Sequence, residues 1–204
     1  LYGHSAAFPS PETRLFFYTP LQQPASGGDA GPPRGPCPSS PGFAIVTVME
    51  ERKGYVQIYT GPGKGKTTAA LGLTVRAVGA GLTVFIGQFL KTGTYSEIKG
   101  LACFGSAVTL EQYGGGQFIM GEPSDEDRER ARRGFSRVRE LAESGGADLI
   151  ILEEINVAVD IGLISAGELL DLIKSKHPSV ELVLTGRNAR DELIEAADLV
   201  TEMT

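Results

Sequence analysis

Nine of the twelve prolines in this 204-residue chain lie in residues 1–48, beside only four charged residues, Glu12, Arg14, Asp29 and Arg34. That asymmetry excludes one fold running the full length and leaves a region of 156 residues, long enough to bury a sizeable core. A net charge of −6 argues against a general nucleic-acid binder but not against one local phosphate site. Cys37 and Cys103 have no partners at metal-ligand spacing, so neither a disulfide framework nor a cysteine-based metal site is suggested, and two histidines in all exclude a histidine-rich zinc centre.

No apolar run reaches the roughly 18 residues of a membrane span, and LYGHSAAFPS at the start lacks the pattern of a secretory signal. The expectation is a cytoplasmic protein with no membrane partner. Residues 19–41, TPLQQPASGGDAGPPRGPCPSSP, read as a disordered or polyproline-like leader. RLFFYT (14–19) and FAIVTVM (43–49) are each apolar enough for a short strand, the second either at a sheet edge or resting on the domain. The division expected is a leader over 1–48 and a domain over 49–204.

From Gly54 onward, short apolar runs alternate with helical ones. YVQIYT (55–60) predicts a strand, and residues 67–78 a helix with Leu71, Val75 and Val78 on one face, ended by Gly79-Ala80-Gly81. LTVFIGQF (82–89) reads as a strand covered on both sides, and AVTLEQY (107–113) as a third strand. Ser124 to Asp127 form a capping box for a helix to about Glu143, stopped by Ser144-Gly145-Gly146. DLIILEE (148–154) is a buried strand ending in two acids; Ser165 to Glu168 open a helix that ends near Pro178. VELVLTG (180–186), residues 190–197 and DLVTEM (198–203) complete the series as strand, helix and strand. The alternation predicts an α/β fold: a P-loop NTPase-like three-layer sandwich around a mostly parallel sheet of five to six strands.

The chemistry concentrates at strand ends. TGPGKGKTT (60–68) follows a strand and opens a helix, where glycines let backbone N–H groups turn toward phosphate oxygens and the helix end adds its dipole. It nominates Gly61, Gly63, Lys64, Gly65, Lys66, Thr67 and Thr68 for a nucleotide, with Lys66 as the mobile charge and Thr67 as a Mg2+ ligand. The usual G-x-x-x-x-G-K-[ST] spacing would need glycine at Thr60, so the loop is one residue short. Glu153 and Glu154 end the buried strand at 148–154 and alternate in direction, so one of them faces the site. Arg187, in LTGR (184–187), ends another strand on the same edge and either meets phosphate oxygens or pairs on the surface. The six arginines of helix 124–143 stand among acids and read as a solvated face with i,i+4 pairs such as Glu129–Arg133.

These motifs, from about Gly54 to Met203, resemble the P-loop-type ATP:corrinoid adenosyltransferases. GPGKGKTTAALGLTVRAVGAG (61–81) is similar to the family's short P-loop, so the missing glycine becomes a point of likeness; VFIGQFLKTG (84–93), DLIILEEINVAVDIGLI (148–164) and LTGRNARDELIEAADLVTEM (184–203) match further signatures. The resemblance implies attack of Co(I) of a reduced corrinoid on the ribose 5′ carbon of ATP, with triphosphate leaving and ATP lying reversed in the P-loop. It implies Lys66, Glu154 and Arg187 as the catalytic set, Thr67 and Glu154 as Mg2+ ligands, and a homodimer. Glu153 stands where the family usually has aspartate. On the corrinoid side, GGGQFIMG (114–121) offers Phe118 either to press on the corrin face or to pack in the core, and Met120 stands in place of a tryptophan found in some members. Members commonly continue beyond VTEM, so a C-terminal truncation is expected here. The rival readings are another P-loop small-molecule kinase or ATPase, and a catalytically weak nucleotide- or corrinoid-binding protein.

Overall fold

The computed structural model describes residues 52–116, 119 and 121–204. The leader assignments, including the two short strands expected at 14–19 and 43–49, lie outside the described residues.

Six parallel strands form one sheet: β1 (Val56–Thr60), β2 (Val84–Gln88), β3 (Val108–Gln112), β4 (Leu149–Glu153), β5 (Glu181–Thr185) and β6 (Leu199–Glu202), ordered β3-β2-β4-β5-β1-β6. Parallel strands need crossovers, and the crossovers are helices: α1 (Lys66–Gly79), α2 (Ser96–Leu101) with a 3-10 turn over Ala102–Ala107, α3 (Asp125–Ser144), α4 (Ile155–Asp160), α5 (Ala166–Ser175) and α6 (Asp191–Ala196).

Strand alternation sorts the core into two layers. Val84, Ile86, Leu149, Ile151 and Val183 face α1, meeting Ala70 and Ala77. Phe85, Ile150, Leu152, Leu182 and Leu184 face the other way, against Phe135 and Val138 of α3, Leu169 and Leu172 of α5 and Leu193 of α6. β2 and β4 are buried at every position because they sit inside the sheet with cover on both sides. At about 1.5–3 kcal/mol for each Leu or Ile removed from water, these strands anchor the fold.

The long helices begin where their side chains permit. Ser124 and Asp127 exchange hydrogen bonds, Asp127 N–H donating to Ser124 Oγ at 3.1 Å and Ser124 N–H to Asp127 Oδ2 at 3.1 Å, and Gly145 ends α3 with φ +72°. Ser165 and Glu168 repeat the box at α5. Three features differ from the sequence expectation. The face of α1 that meets the sheet is Ala70, Thr74 and Ala77, while Val75 is 52% exposed; small side chains bring the helix close, and the larger ones flank the contact. The helices α2 and α4 have no side-chain cap to announce them. On α3 the ion pairs are Arg130 with Glu126 and Asp127, and Arg137 with Glu140 and Glu111; Glu129–Arg133 is not among them.

Candidate functional site

Because all six strands run the same way, β1, β2, β4 and β5 deliver their C-terminal ends to one edge of the sheet. β1 delivers the glycine loop. Gly61 (φ +92°) and Gly65 (φ +115°) take left-handed conformations that favour glycine, and Gly65 caps α1. Lys66, the first residue of that helix, is buried, and its ammonium donates to Gly61 O at 2.6 Å and Gly63 O at 2.7 Å. Thr67 is half-buried, whereas Lys64 and Thr68 are exposed.

The glycines have a second reason that the sequence did not disclose. The backbone beyond β6 lies on the loop: Gly63 N–H donates to Met203 O at 2.6 Å and Met203 N–H to Thr60 O at 2.9 Å. A Cβ on Gly61 would stand 2.4 Å from Met203 O, and one on Gly63 2.6 Å from it, so any side chain there would displace the crossing segment.

β4 delivers the acid pair and separates it. Glu153 stays on the strand, 2% exposed, and its carboxylate accepts from Lys91 Nζ at 2.7 Å and from the Gln88 amide. Glu154 leaves the strand in a left-handed turn (φ +61°) that caps α4, and its N–H donates to Thr185 Oγ1 at 3.1 Å. The Glu154 carboxyl makes no hydrogen bond to a described residue. Burial pushes its pKa above the ordinary carboxylate value, with Glu153 adding to the effect, while Lys91, Lys66 and Arg187 oppose it. Burial alone would pull the Lys91 ammonium down; Glu153, Glu97 and Glu154 reverse that and hold it above its usual range.

β5 delivers Arg187 through Gly186 (φ +131°), whose carbonyl accepts from Asn156 Nδ2 at 3.2 Å. Arg187 is exposed and lines, together with Glu154 and Lys91, a cavity of about 470 Å³. That volume lies in the range of pockets that take small-molecule ligands. The Phe89 and Tyr113 rings, 5.6 Å apart and tilted at 53°, form part of its wall, with Gly114, Gly115 and Ile119 closing another side. The Tyr113 hydroxyl donates to Glu111 Oε2 at 2.8 Å, and burial raises its pKa.

Of the residues nominated from the sequence, Lys66, Glu154 and Arg187 therefore share one electrostatic site, in which Glu154 and Arg187 belong to the cavity and Lys66 to the adjoining loop. Phe118 and Met120 lie outside the described residues. Lys91, Gln88, Gln112 and Asn156 were not nominated. Lys91 does fall within a loop quoted for the family resemblance, which is the one signal that pointed to it. Among the described residues no three His, Cys, Asp or Glu side chains cluster as a metal site. Thr67 and Glu154, the two residues nominated for Mg2+, carry side-chain oxygens of the kind a hard cation takes. No described helix is long and apolar enough to cross a membrane.

Known proteins carry the same pattern. The model of the family described as ATP:corrinoid adenosyltransferase BtuR/CobO/CobP matches residues 52–204. A corrinoid adenosyltransferase of Sinorhizobium sp is 32% identical over 170 residues, covering 78% of this chain and 76% of the relative. One from Pseudomonas aeruginosa is 30% identical over 160 residues (78% and 79%), and one from Escherichia coli 27% identical over 167 residues (78% and 81%). With a family match that spans the whole described domain and begins two residues before its first glycine, this chain belongs to the ATP:corrinoid adenosyltransferase family.

Proposed function

We propose that this protein transfers the 5′-deoxyadenosyl group of ATP to the cobalt of a reduced corrinoid and releases triphosphate. The observation that carries the reading is the family match over residues 52–204, joined to the convergence of Lys66, Glu154 and Arg187 at one sheet edge. In the reaction, the Co(I) electron pair forms the Co–C5′ bond as the C5′–O bond breaks and its electrons depart with triphosphate. No protein nucleophile or general base is needed. The protein's work is to align the two substrates and to stabilise the charge gathering on the leaving group.

In this reading the loop amides at Gly61, Gly63 and Gly65 and the Lys64 and Lys66 ammonium groups face the triphosphate, with Thr68 beside them and Arg187 approaching from β5. Lys66 already sits among loop carbonyls and exchanges them for phosphate oxygens when ATP arrives. Thr67 and Glu154 are oxygen donors that fit Mg2+, the ion supplying further charge neutralisation when bound. Glu153 is occupied by Lys91 and Gln88, which favours Glu154 as the metal-facing acid. The cavity beside Glu154 receives the part of the corrinoid that meets C5′, and Phe118 contributes to excluding its lower ligand. The family resemblance favours a homodimer working in the cytoplasm.

Incubation with ATP, Mg2+ and chemically reduced cobalamin is the direct test. The expected products are triphosphate and an adenosyl–cobalt spectrum; ADP, or AMP with pyrophosphate, would instead indicate a kinase or ATPase. ATP binding with no product would indicate a binding protein. Lys66→Ala should weaken ATP binding about tenfold or more, the scale of one charge-assisted contact, as read by equilibrium titration.

A further inference from the structure

Residues 89–95 join β2 to α2 without regular structure, yet Lys91, Thr92 and Tyr95 from this loop line the cavity. A line of side-chain amides holds the loop in place, and it starts outside the cavity. Gln112, the last residue of β3, uses every hydrogen-bonding group it has. Its Oε1 accepts from Gly93 N–H at 3.0 Å; its Nε2 donates to Gly93 O at 3.1 Å and to Gln88 Oε1 at 2.8 Å. Gln88, 1% exposed, donates in turn to Glu153, whose other oxygen accepts from Lys91 Nζ at 2.7 Å. Donation therefore runs from Gln112 through Gln88 to Glu153, and the Glu153 carboxylate, which accepts from both sides, joins that line to Lys91 at the cavity wall. Gly114 closes the loop from the same side: its N–H donates to Lys91 O at 3.1 Å, and a Cβ there would stand 2.6 Å from Lys91 N.

We propose that Gln112 is a positioning residue for the corrinoid: without lining the cavity, it fixes Gly93 and the Gln88–Glu153–Lys91 line, and so sets Lys91 and Tyr95 at the wall the corrinoid meets. The inference rests on the adenosyltransferase reading above for its substrate. It requires an amide at residue 112. A carboxylate keeps one acceptor for Gly93 N–H but turns an oxygen toward the carbonyl oxygens of Gly93 and Gln88, breaking the line at two points. The P-loop lies on β1, across β4 and β5 from β2, and shares none of these bonds.

The test compares Gln112→Glu and the near-isosteric Gln112→Met with the wild-type chain. The corrinoid KM is expected to rise about three- to tenfold in both, the scale of one or two lost hydrogen bonds, with the ATP dissociation constant unchanged. Amide exchange at residues 92–95, measured without any substrate, is expected to quicken while exchange in α1 stays as it was. Unchanged exchange at 92–95, or an ATP constant that shifts with the corrinoid KM, would overturn the inference. If Gln112→Glu fails to fold, Gln112→Met decides by the same two readouts. A wild-type chain that forms no adenosyl–cobalt product would overturn the functional reading instead, a result separable from the loop's exchange.

Discussion

Glu154 adopts a left-handed backbone conformation that costs an L-residue about 1–2 kcal/mol, and it carries a carboxyl that burial makes reluctant to ionise. A residue strained twice over at the mouth of a cavity fits a functional role better than a structural one. Its raised pKa means that the folded chain holds the proton more tightly than the unfolded chain does. The stability this contributes is complete below the ordinary carboxyl value and is lost as pH rises through the folded value. At neutral pH the ionised group therefore weakens the fold. Glu154→Gln should raise the melting temperature at neutral pH, with the gain shrinking as pH falls from the raised value towards the ordinary one, while adenosyl transfer drops; melts across that range with parallel turnover assays check both. Lys66, Glu154 and Arg187 were legible because each is tied to a strand end by a motif. Gln88, Gln112 and Asn156 were not, because a glutamine or asparagine has no chemistry of its own to advertise and acquires a role only through the neighbour it reaches.

Helix α3 illustrates what an element's ends and faces reveal. Its start and stop were readable from Ser124, Asp127 and Gly145, since capping is local chemistry. The part played by Gly134 was not. Glycine inside a helix costs about 0.5–1 kcal/mol relative to alanine, yet a Cβ here would lie 2.3 Å from the Tyr113 ring, which packs into the space glycine leaves. Gly134→Ala should thus destabilise the protein, by about 1–3 kcal/mol as overpacking does, rather than gain the usual helix propensity. The displaced ring should also raise the corrinoid KM; urea unfolding and steady-state kinetics measure the two effects. The helices α2 and α4 escaped the sequence reading for the opposite reason. Each is six residues long with no side-chain cap, and a piece that short is held by burial: Ile155, Asn156, Ala158 and Val159 of α4 are all covered. In α1 the periodicity pointed to the larger apolar residues, whereas close approach to the sheet selected the small ones.

At the scale of the molecule, an all-parallel sheet gathers the glycine loop, the acid pair and Arg187 although more than a hundred residues separate the first from the last. The domain division is best tested on the whole chain. We expect a chain lacking residues 1–48 to melt within a degree or two of the full one and to keep its adenosyl transfer, because residues 19–41, which separate most of that segment from the domain, offer little apolar surface to bury; a large loss of either would assign those residues, the apolar runs 14–19 and 43–48 above all, a part in the fold. By itself the sequence determined the α/β class, the order of strands and long helices, the glycine loop between strand and helix, and the family, since periodicity, caps and short motifs are written in neighbouring residues. Only the tertiary structure decided that Glu153 rather than Glu154 is held by Lys91 and Gln88, that Met203 crosses the glycine loop, and that Gln112 bonds to Gly93, nineteen residues earlier in the chain. Each of these is a contact between segments distant in the chain, and whether such groups meet depends on strand order, register and the turn taken at a strand's end.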